Sequence, residues 1–260
     1  MAKKIAIAIH KGGVGKTTTA KNLAAALAQA GKTTLLVDLD EQANATKGLG
    51  VDPAQVPVTL NDLFVSTEIA PASAVLTTDV DGLHLIAGHP ELSRTETGMA
   101  TLRGADPTAP DPIMALKGLL AELDDRYDFI IMDTPPSMNY MTINALAAAD
   151  ELVIPAAASA YSADGLARTI EAYERAVGSY NPALRLRGIL VTRFKRTNAA
   201  AAVFDGIGDA YSDLVIPQLI VESTAVDEAE QLNQPVVLYD PESPAAQGYK
   251  RVAEILSNGK

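Results

Sequence analysis

Lys11 and Lys16 stand at the two ends of a glycine-rich run, Lys11-Gly12-Gly13-Val14-Gly15-Lys16-Thr17-Thr18, near the start of this 260-residue chain. Glycines there let backbone N–H groups converge on an anion with no Cβ in the way, and a helix opening at the end of the run adds the positive end of its dipole. With Lys11, residues Gly12 to Thr17 match the phosphate-loop pattern G-x-x-x-x-G-K-[ST] at every position except the first. In that pattern the backbone of Gly12, Gly13, Val14 and Gly15 cradles phosphate, with Thr18 beside it. Lys16 supplies a point charge to the β- and γ-phosphates, and the Thr17 hydroxyl is placed to ligate Mg2+. The chemistry implied is cleavage of a nucleotide's terminal phosphoryl group. Lys11 has no role in the pattern and needs another explanation.

Such a loop works with carboxylates on neighbouring strands. Asp133 closes the apolar run DFIIMD and is placed to hold the water shell of the metal. Thr134-Pro135-Pro136 follows as a stiff turn suited to a switch near the γ-phosphate. Asp38 and Asp40 end a second apolar run two residues apart, on one side if the strand continues. Asp40, just past the strand end, can orient an attacking water for in-line displacement.

These residues need a scaffold, and the hydrophobic pattern supplies one. Short apolar runs at 4–9, 33–38, 83–88, 128–133, 151–156, 188–193 and 213–217 mostly lack polar alternation, as strands covered on both faces do. Helices are predicted at Thr17–Ala30 (stopped by Gly31), Pro112–Leu123, Thr142–Ala148, Ala163–Val177, Asn198–Ala210 and Ser243–Leu256. The alternation predicts one α/β domain over residues 1–260, a doubly wound and mostly parallel sheet flanked by helices. Gly104–Pro112 reads as a surface loop. Ligands in such folds sit at the carboxyl ends of the strands, where the candidate residues fall.

Composition narrows the rest. Cysteine is absent, which excludes disulfides and cysteine-ligated clusters, and His10, His84 and His89 show no metal-ligand spacing. The apolar run at 5–9 is too short for a signal peptide, and no stretch nears the roughly 18 apolar residues of a spanning helix, so a cytoplasmic protein is expected. Net charge is −11, which disfavours nucleic acid overall, yet the charge is uneven. Residues 183–204 hold Arg185, Arg187, Arg193, Lys195 and Arg196 without an acid. Such a run is a solvated face or a local phosphate-binding patch.

Taken together, the chain resembles the ParA/MinD group of deviant-Walker P-loop NTPases, and most closely the ParA (Soj-like) partition ATPases. The resemblance rests on KGGVGKTTTAKNLAAALAQAGKTTLLVDLD, EQANATKGLG, GLHLIAGHPEL, FIIMDTPPS and PVVLYDPESPAAQGYKRVAEIL, in order and nearly end to end. It implies ATP and Mg2+ as cofactors, with Lys16 and Thr17 on phosphate and metal, Asp40 activating water, Asp133 as the Walker B residue and Asp38 supporting the metal's water shell. Lys11 becomes the signature lysine, contributed across an ATP-bound homodimer to the partner's nucleotide. Thr192 and Pro217 fall where relatives contact adenine. The resemblance further implies non-specific DNA binding on the nucleoid and slow hydrolysis stimulated by a ParB-like centromere-binding protein or a cargo adaptor. Arg193, Lys195, Arg196, Lys250 and Arg251 are the candidate DNA contacts.

The sequence departs from the family pattern in two places. Glu41 replaces the usual proline after Asp40, and no basic residue lies between Gln218 and Lys250, where many relatives carry arginines. Rival readings on the same fold fare less well. A MinD-like membrane protein would end in an amphipathic helix with bulky apolar residues, and the stripe Tyr249, Val252, Ile255, Leu256 reads instead as core packing. Iron-protein relatives need cysteines, a bacterial tyrosine kinase would carry a C-terminal tyrosine cluster, and nothing marks the acceptor site of a metabolic ATPase. With no extension before the first strand, no helix-turn-helix domain is expected there.

Overall fold

Successive residues of the central strands enter opposite cores. Ile5 and Ile7 join one hydrophobic cluster while Ala6 and Ala8 join the other, and Leu36 and Ile131 alternate with Val37 and Met132 in the same way. This two-sided burial is why the apolar runs lack polar alternation. The computed structural model describes residues 1–66, 68–105, 111–158 and 162–258. Most of the stretch expected as a loop at Gly104–Pro112 lies outside them, while Gly104 and Ala105 close a helix.

Along the chain, β1 (Lys3–Ile7) leads through the glycine run into α1 (Lys16–Gln29) and β2 (Thr34–Asp38). There follow α2 (Asn44–Lys47), α3 (Leu60–Val65), β3 (Val75–Thr77), β4 (Leu83–Ile86), α4 (Leu92–Ala105), α5 (Ala115–Ala121) and β5 (Phe129–Asp133). The second half runs α6 (Tyr140–Ala148), β6 (Glu151–Ala157), α7 (Ser162–Ser179), β7 (Arg185–Thr192), α8 (Asn198–Tyr211), α9 (Thr224–Gln231), α10 (Val236–Tyr239) and α11 (Pro244–Ser257). Among the described residues the sheet order is β3-β4-β2-β5-β1-β6-β7, parallel except for β3, which pairs antiparallel with β4 at the edge.

That order positions the site. β5 is inserted between β1 and β2, so Asp133 is in register with Ile7 on one side and with Asp38 on the other. The Thr134 hydroxyl donates to the Ile7 carbonyl at 2.9 Å and ties the turn after β5 to the entry of the glycine run. α1 is buried almost all round between the sheet and α11, as its alanine- and leucine-rich sequence requires. Leu23, Leu27, Val252 and Leu256 are fully buried there, each contributing about 1.5–3 kcal/mol by removal from water. The stripe on α11 is therefore core, with Tyr249 only 2% exposed. Ser243 caps α11 by accepting from the Ala246 amide, with Pro244 in the first turn, as the cap chemistry predicts. Among the described residues no helix is long and apolar enough to cross a membrane.

One expected strand is not formed. Residues 213–217 begin in a 3-10 turn (Ser212–Leu214), and the extended piece after it makes isolated bridges, Val215 with Ile189 and Val221 with Phe194, in place of a ladder. The Ile216 amide donates to the Ile189 carbonyl at 2.9 Å and the Ile220 amide to Val191 at 2.8 Å. Pro217 lies between them without an N–H to give, so the ladder cannot continue.

Candidate nucleotide site

The glycine run leaves β1 at the carboxyl edge of the sheet and enters α1 through Gly13 (φ 73°) and Gly15 (φ 80°), left-handed conformations that a Cβ would disfavour. Its carbonyls are held from behind. Lys16 Nζ donates to the Lys11 carbonyl at 2.8 Å, Arg193 Nη1 to Gly13 at 3.0 Å and Thr192 Oγ1 to Val14 at 2.8 Å. Among the described residues the amides of Gly12, Gly13, Val14, Gly15 and Lys16 donate to nothing, which leaves them for an anion. A cavity of about 530 Å³ opens over the loop, lined by Gly12, Gly13, Gly15, Lys16, Thr17 and Thr18 and by Asp40 opposite. Burial pulls the Lys16 ammonium below the usual lysine range, and Asp133 and Asp40 oppose that shift.

The three carboxylates have separate situations. Asp133 is fully buried, and neither of its oxygens has a hydrogen-bond partner among the described residues. Burial first, and Asp38 second, push its carboxyl well above the ordinary carboxylate range. The nearby Thr17 hydroxyl and Lys16 ammonium work the other way. An orphaned buried carboxylate behind a threonine hydroxyl fits a hydrated divalent cation. Asp40 lines the cavity and also a neighbouring one beside Pro135 and Pro136. Its Oδ1 accepts from the Gln42 amide at 3.0 Å, which fixes the side chain in its turn.

Asp38 is held by three protein donors. Its Oδ2 accepts from the Thr46 amide at 2.9 Å and the Thr46 hydroxyl at 2.8 Å, and its Oδ1 accepts from the Asp40 amide at 3.1 Å. Burial raises its carboxyl to about 6 despite those donors. Asp38 thus anchors the turn carrying Asp40 and does not line the cavity. Gly88 seals this turn, because a Cβ there would meet Asp38 Cγ at 2.8 Å and the Asp40 carbonyl at 2.9 Å.

Lys11 is half-buried and its stem lies along the start of α7, where a Cβ at Gly165 would come within 3.2 Å of the Lys11 Cβ. The His10 amide donates to the Thr169 hydroxyl at 3.0 Å, so the mouth of the loop is docked on α7.

A second cavity of about 220 Å³ adjoins the loop, bounded by Thr192, Arg193, the segment Ile220–Ser223, Val226, Asp227, Glu230 and Tyr249. Thr192 lines this cavity, whereas Pro217 is exposed and outside the lining, three residues short of it. Sequence reasoning missed Lys21 and Glu230. The Thr18 hydroxyl donates to Glu230 at 2.7 Å, and the buried Lys21 ammonium lies 3.8 Å from the same carboxylate. Lys21 could have been found by counting along the helix that follows the loop. Glu230 could not, since 212 residues separate it from Thr18. Of the candidate DNA contacts, Arg193 and Lys195 both pair with Glu222 at 3.3 and 2.9 Å, and Arg196 is exposed just beyond them. Lys250 and Arg251 lie apart on α11, donating to the Pro241 carbonyl and paired with Glu254, respectively.

A parallel sheet with a glycine loop between its central strand and a helix, a lysine and a threonine at the helix start, and carboxylates ending two neighbouring strands define the phosphate-loop nucleotide-hydrolase class. A family model described as an AAA domain matches residues 2–186. Soj, the sporulation initiation inhibitor protein of Bacillus subtilis, is 36% identical over 261 residues, covering 100% of both chains. The chromosome-partitioning ATPase Soj of Thermus thermophilus is 39% identical over 97% of this chain and 94% of its own. Among solved structures, an ATP complex of a McdA variant from Cyanothece superposes with a TM-score of 0.86 at 26% identity, covering 99% and 96% of the two chains. The cobyrinic acid a,c-diamide synthase of Mycobacterium smegmatis, with bound ADP and magnesium, gives 0.84 at 29%, covering 98% and 94%. The chain belongs to the Soj/ParA branch of the ParA/MinD family of phosphate-loop ATPases.

Proposed function

We propose that this chain is a Mg2+-dependent ATPase of the partition type. It closes into a homodimer over ATP, binds DNA without sequence preference in that state, and moves a plasmid or chromosome region over the nucleoid. Hydrolysis is slow alone and is stimulated by a ParB-like centromere-binding partner. The observation that carries this reading is the end-to-end likeness to Soj proteins joined to the convergence of Lys16, Thr17, Asp40 and Asp133 on one loop.

The residues divide the work. The amides of Gly12 to Lys16 bind the phosphates, Thr18 borders the cradle, and Lys16 leaves the Lys11 carbonyl to meet the β/γ oxygens. Thr17 and Asp133 would hold Mg2+ and its water shell, and the ion supplies charge neutralisation on the terminal phosphates. Asp40 orients the attacking water, held in place by Asp38. Lys11 reaches the partner's nucleotide, which makes association depend on nucleotide state. The base lies toward the cavity formed by Thr192 and Ile220–Ser223. Arg196, Lys250 and Arg251, with Lys195, make up the DNA-facing set.

The test is ATP turnover by the purified protein alone, with non-specific DNA, and with the partner, alongside size-exclusion chromatography of wild type and Lys11→Ala in ATP. Expected are slow basal turnover raised jointly by DNA and partner, and a dimer that Lys11→Ala fails to form. Turnover indifferent to DNA, with no ATP-dependent retention on DNA at low salt, would sink the partition reading. A protein cargo in place of a DNA cargo uses the same residues, and a centromere-binding protein gene next door distinguishes the two.

A further inference from the structure

Arg193 belongs to the basic run that the sequence assigns to DNA, yet its guanidinium points back at the phosphate loop. Nη1 donates to the Gly13 carbonyl at 3.0 Å and Nη2 lies 3.3 Å from Glu222 Oε1. Glu222 is held in turn by Lys195 at 2.9 Å. Its backbone is fixed by the Glu222 amide donating to the Phe194 carbonyl at 3.0 Å and the Phe194 amide donating to the Ile220 carbonyl at 3.0 Å. Arg193 also adopts φ 49°, a left-handed conformation that costs a residue with a Cβ about 1–2 kcal/mol. A strained arginine at the end of β7, aimed at a glycine carbonyl 180 residues away, calls for a reason beyond solvation.

The peptide plane supplies one. In a trans peptide the carbonyl of one residue and the N–H of the next point in opposite directions. Pulling the Gly13 carbonyl toward Arg193 turns the Val14 N–H the other way, and Thr192 does the same to the Val14 carbonyl and the Gly15 N–H. Two neighbouring residues of one strand end thus orient two successive amides of the loop before any ligand arrives.

Resting on the reading of this loop as a nucleotide site, we infer that Arg193 is a positioning residue for the phosphate cradle, not a DNA contact. It holds the Gly13–Val14 peptide in its binding orientation, and Glu222 holds it in turn. The binding free energy that would otherwise go into ordering this peptide is available for affinity.

The test compares Mg·ADP affinity by titration calorimetry, thermal stability, and DNA retention at saturating ATP, for wild type, Arg193→Gly and Arg193→Lys. Glycine accepts the left-handed φ without strain, so Arg193→Gly should fold with an unchanged or higher Tm. It should bind Mg·ADP about three- to tenfold more weakly, the effect of losing one such hydrogen bond. Lysine should recover part of the loss, millimolar ethylguanidinium should restore part of it to the glycine variant, and DNA retention at saturating ATP should match wild type. A wild-type ADP affinity in Arg193→Gly, or unchanged affinity with lost DNA retention, would overturn the assignment. Failure of the wild type to bind Mg·ADP would instead overturn the nucleotide reading beneath it.

Discussion

Asp133 keeps two carboxylate oxygens in the core with no hydrogen-bond partner among the described residues, directly in register with Asp38. Asp133→Asn keeps the shape and removes the ionisable group, so it separates what the residue does for folding from what it does for a ligand. A buried group left unsatisfied costs about 1–3 kcal/mol, and more when charged. The amide brings its own donors, so a net gain of about 1–2 kcal/mol is expected for the ligand-free protein. For a chain of this size that raises Tm by about 2–8 °C. Mg·ADP at a hundredfold excess over its Kd should add about 2.7 kcal/mol to wild type. The asparagine variant should lose most of that increment, because the anionic partner of the cation's water shell is gone. Circular dichroism melts in EDTA and in Mg·ADP, on both proteins, read the two effects separately. A lower ligand-free Tm in the variant, or an undiminished Mg·ADP shift, would refute the claim that Asp133 is held in reserve for a cation.

Lys16→Ala should abolish nucleotide binding, measured with a fluorescent ADP analogue, whereas Lys11→Ala should spare much of it. Gly88→Ala should destabilise the fold by about 1–3 kcal/mol in a denaturant titration, since its methyl collides with Asp38 and the Asp40 backbone. It should also lower turnover more than nucleotide affinity, because the displaced turn carries Asp40. Arg196→Ala should weaken ATP-dependent DNA retention and reduce its salt slope by about one while leaving ATP affinity unchanged.

The parts of the site legible in the sequence were those built from neighbours in the chain. The loop, Lys16, Thr17, and the aspartates ending two apolar runs all announce themselves through local spacing and the strand–helix alternation. Of the seven expected strands, six form, and the seventh fails at Pro217 because a proline inside a short apolar run withholds a ladder donor. β3 at the antiparallel edge is only three residues long, too short for a period to show. Asp38 and Asp40 are told apart by the fold alone. Two carboxylates two residues apart look alike in sequence, but Thr46 and the Asp40 amide claim the first, and only the second lines the cavity. The second cavity beside the loop depends on Ile220–Ser223 and Glu230 returning to the loop from about two hundred residues away, a contact no local pattern encodes.

The packing of α11 against α1 has a consequence for synthesis. The helix that begins at Lys16 leaves the ribosome well before the helix that covers it, which begins only at Pro244. At about 5–20 residues per second, α1 waits some ten seconds or more for its cover. Until then its alanine- and leucine-rich surface is open to chaperones. A newborn chain therefore gains a firm nucleotide loop only late in translation, so premature termination before Pro244 should yield a polypeptide without ATP affinity.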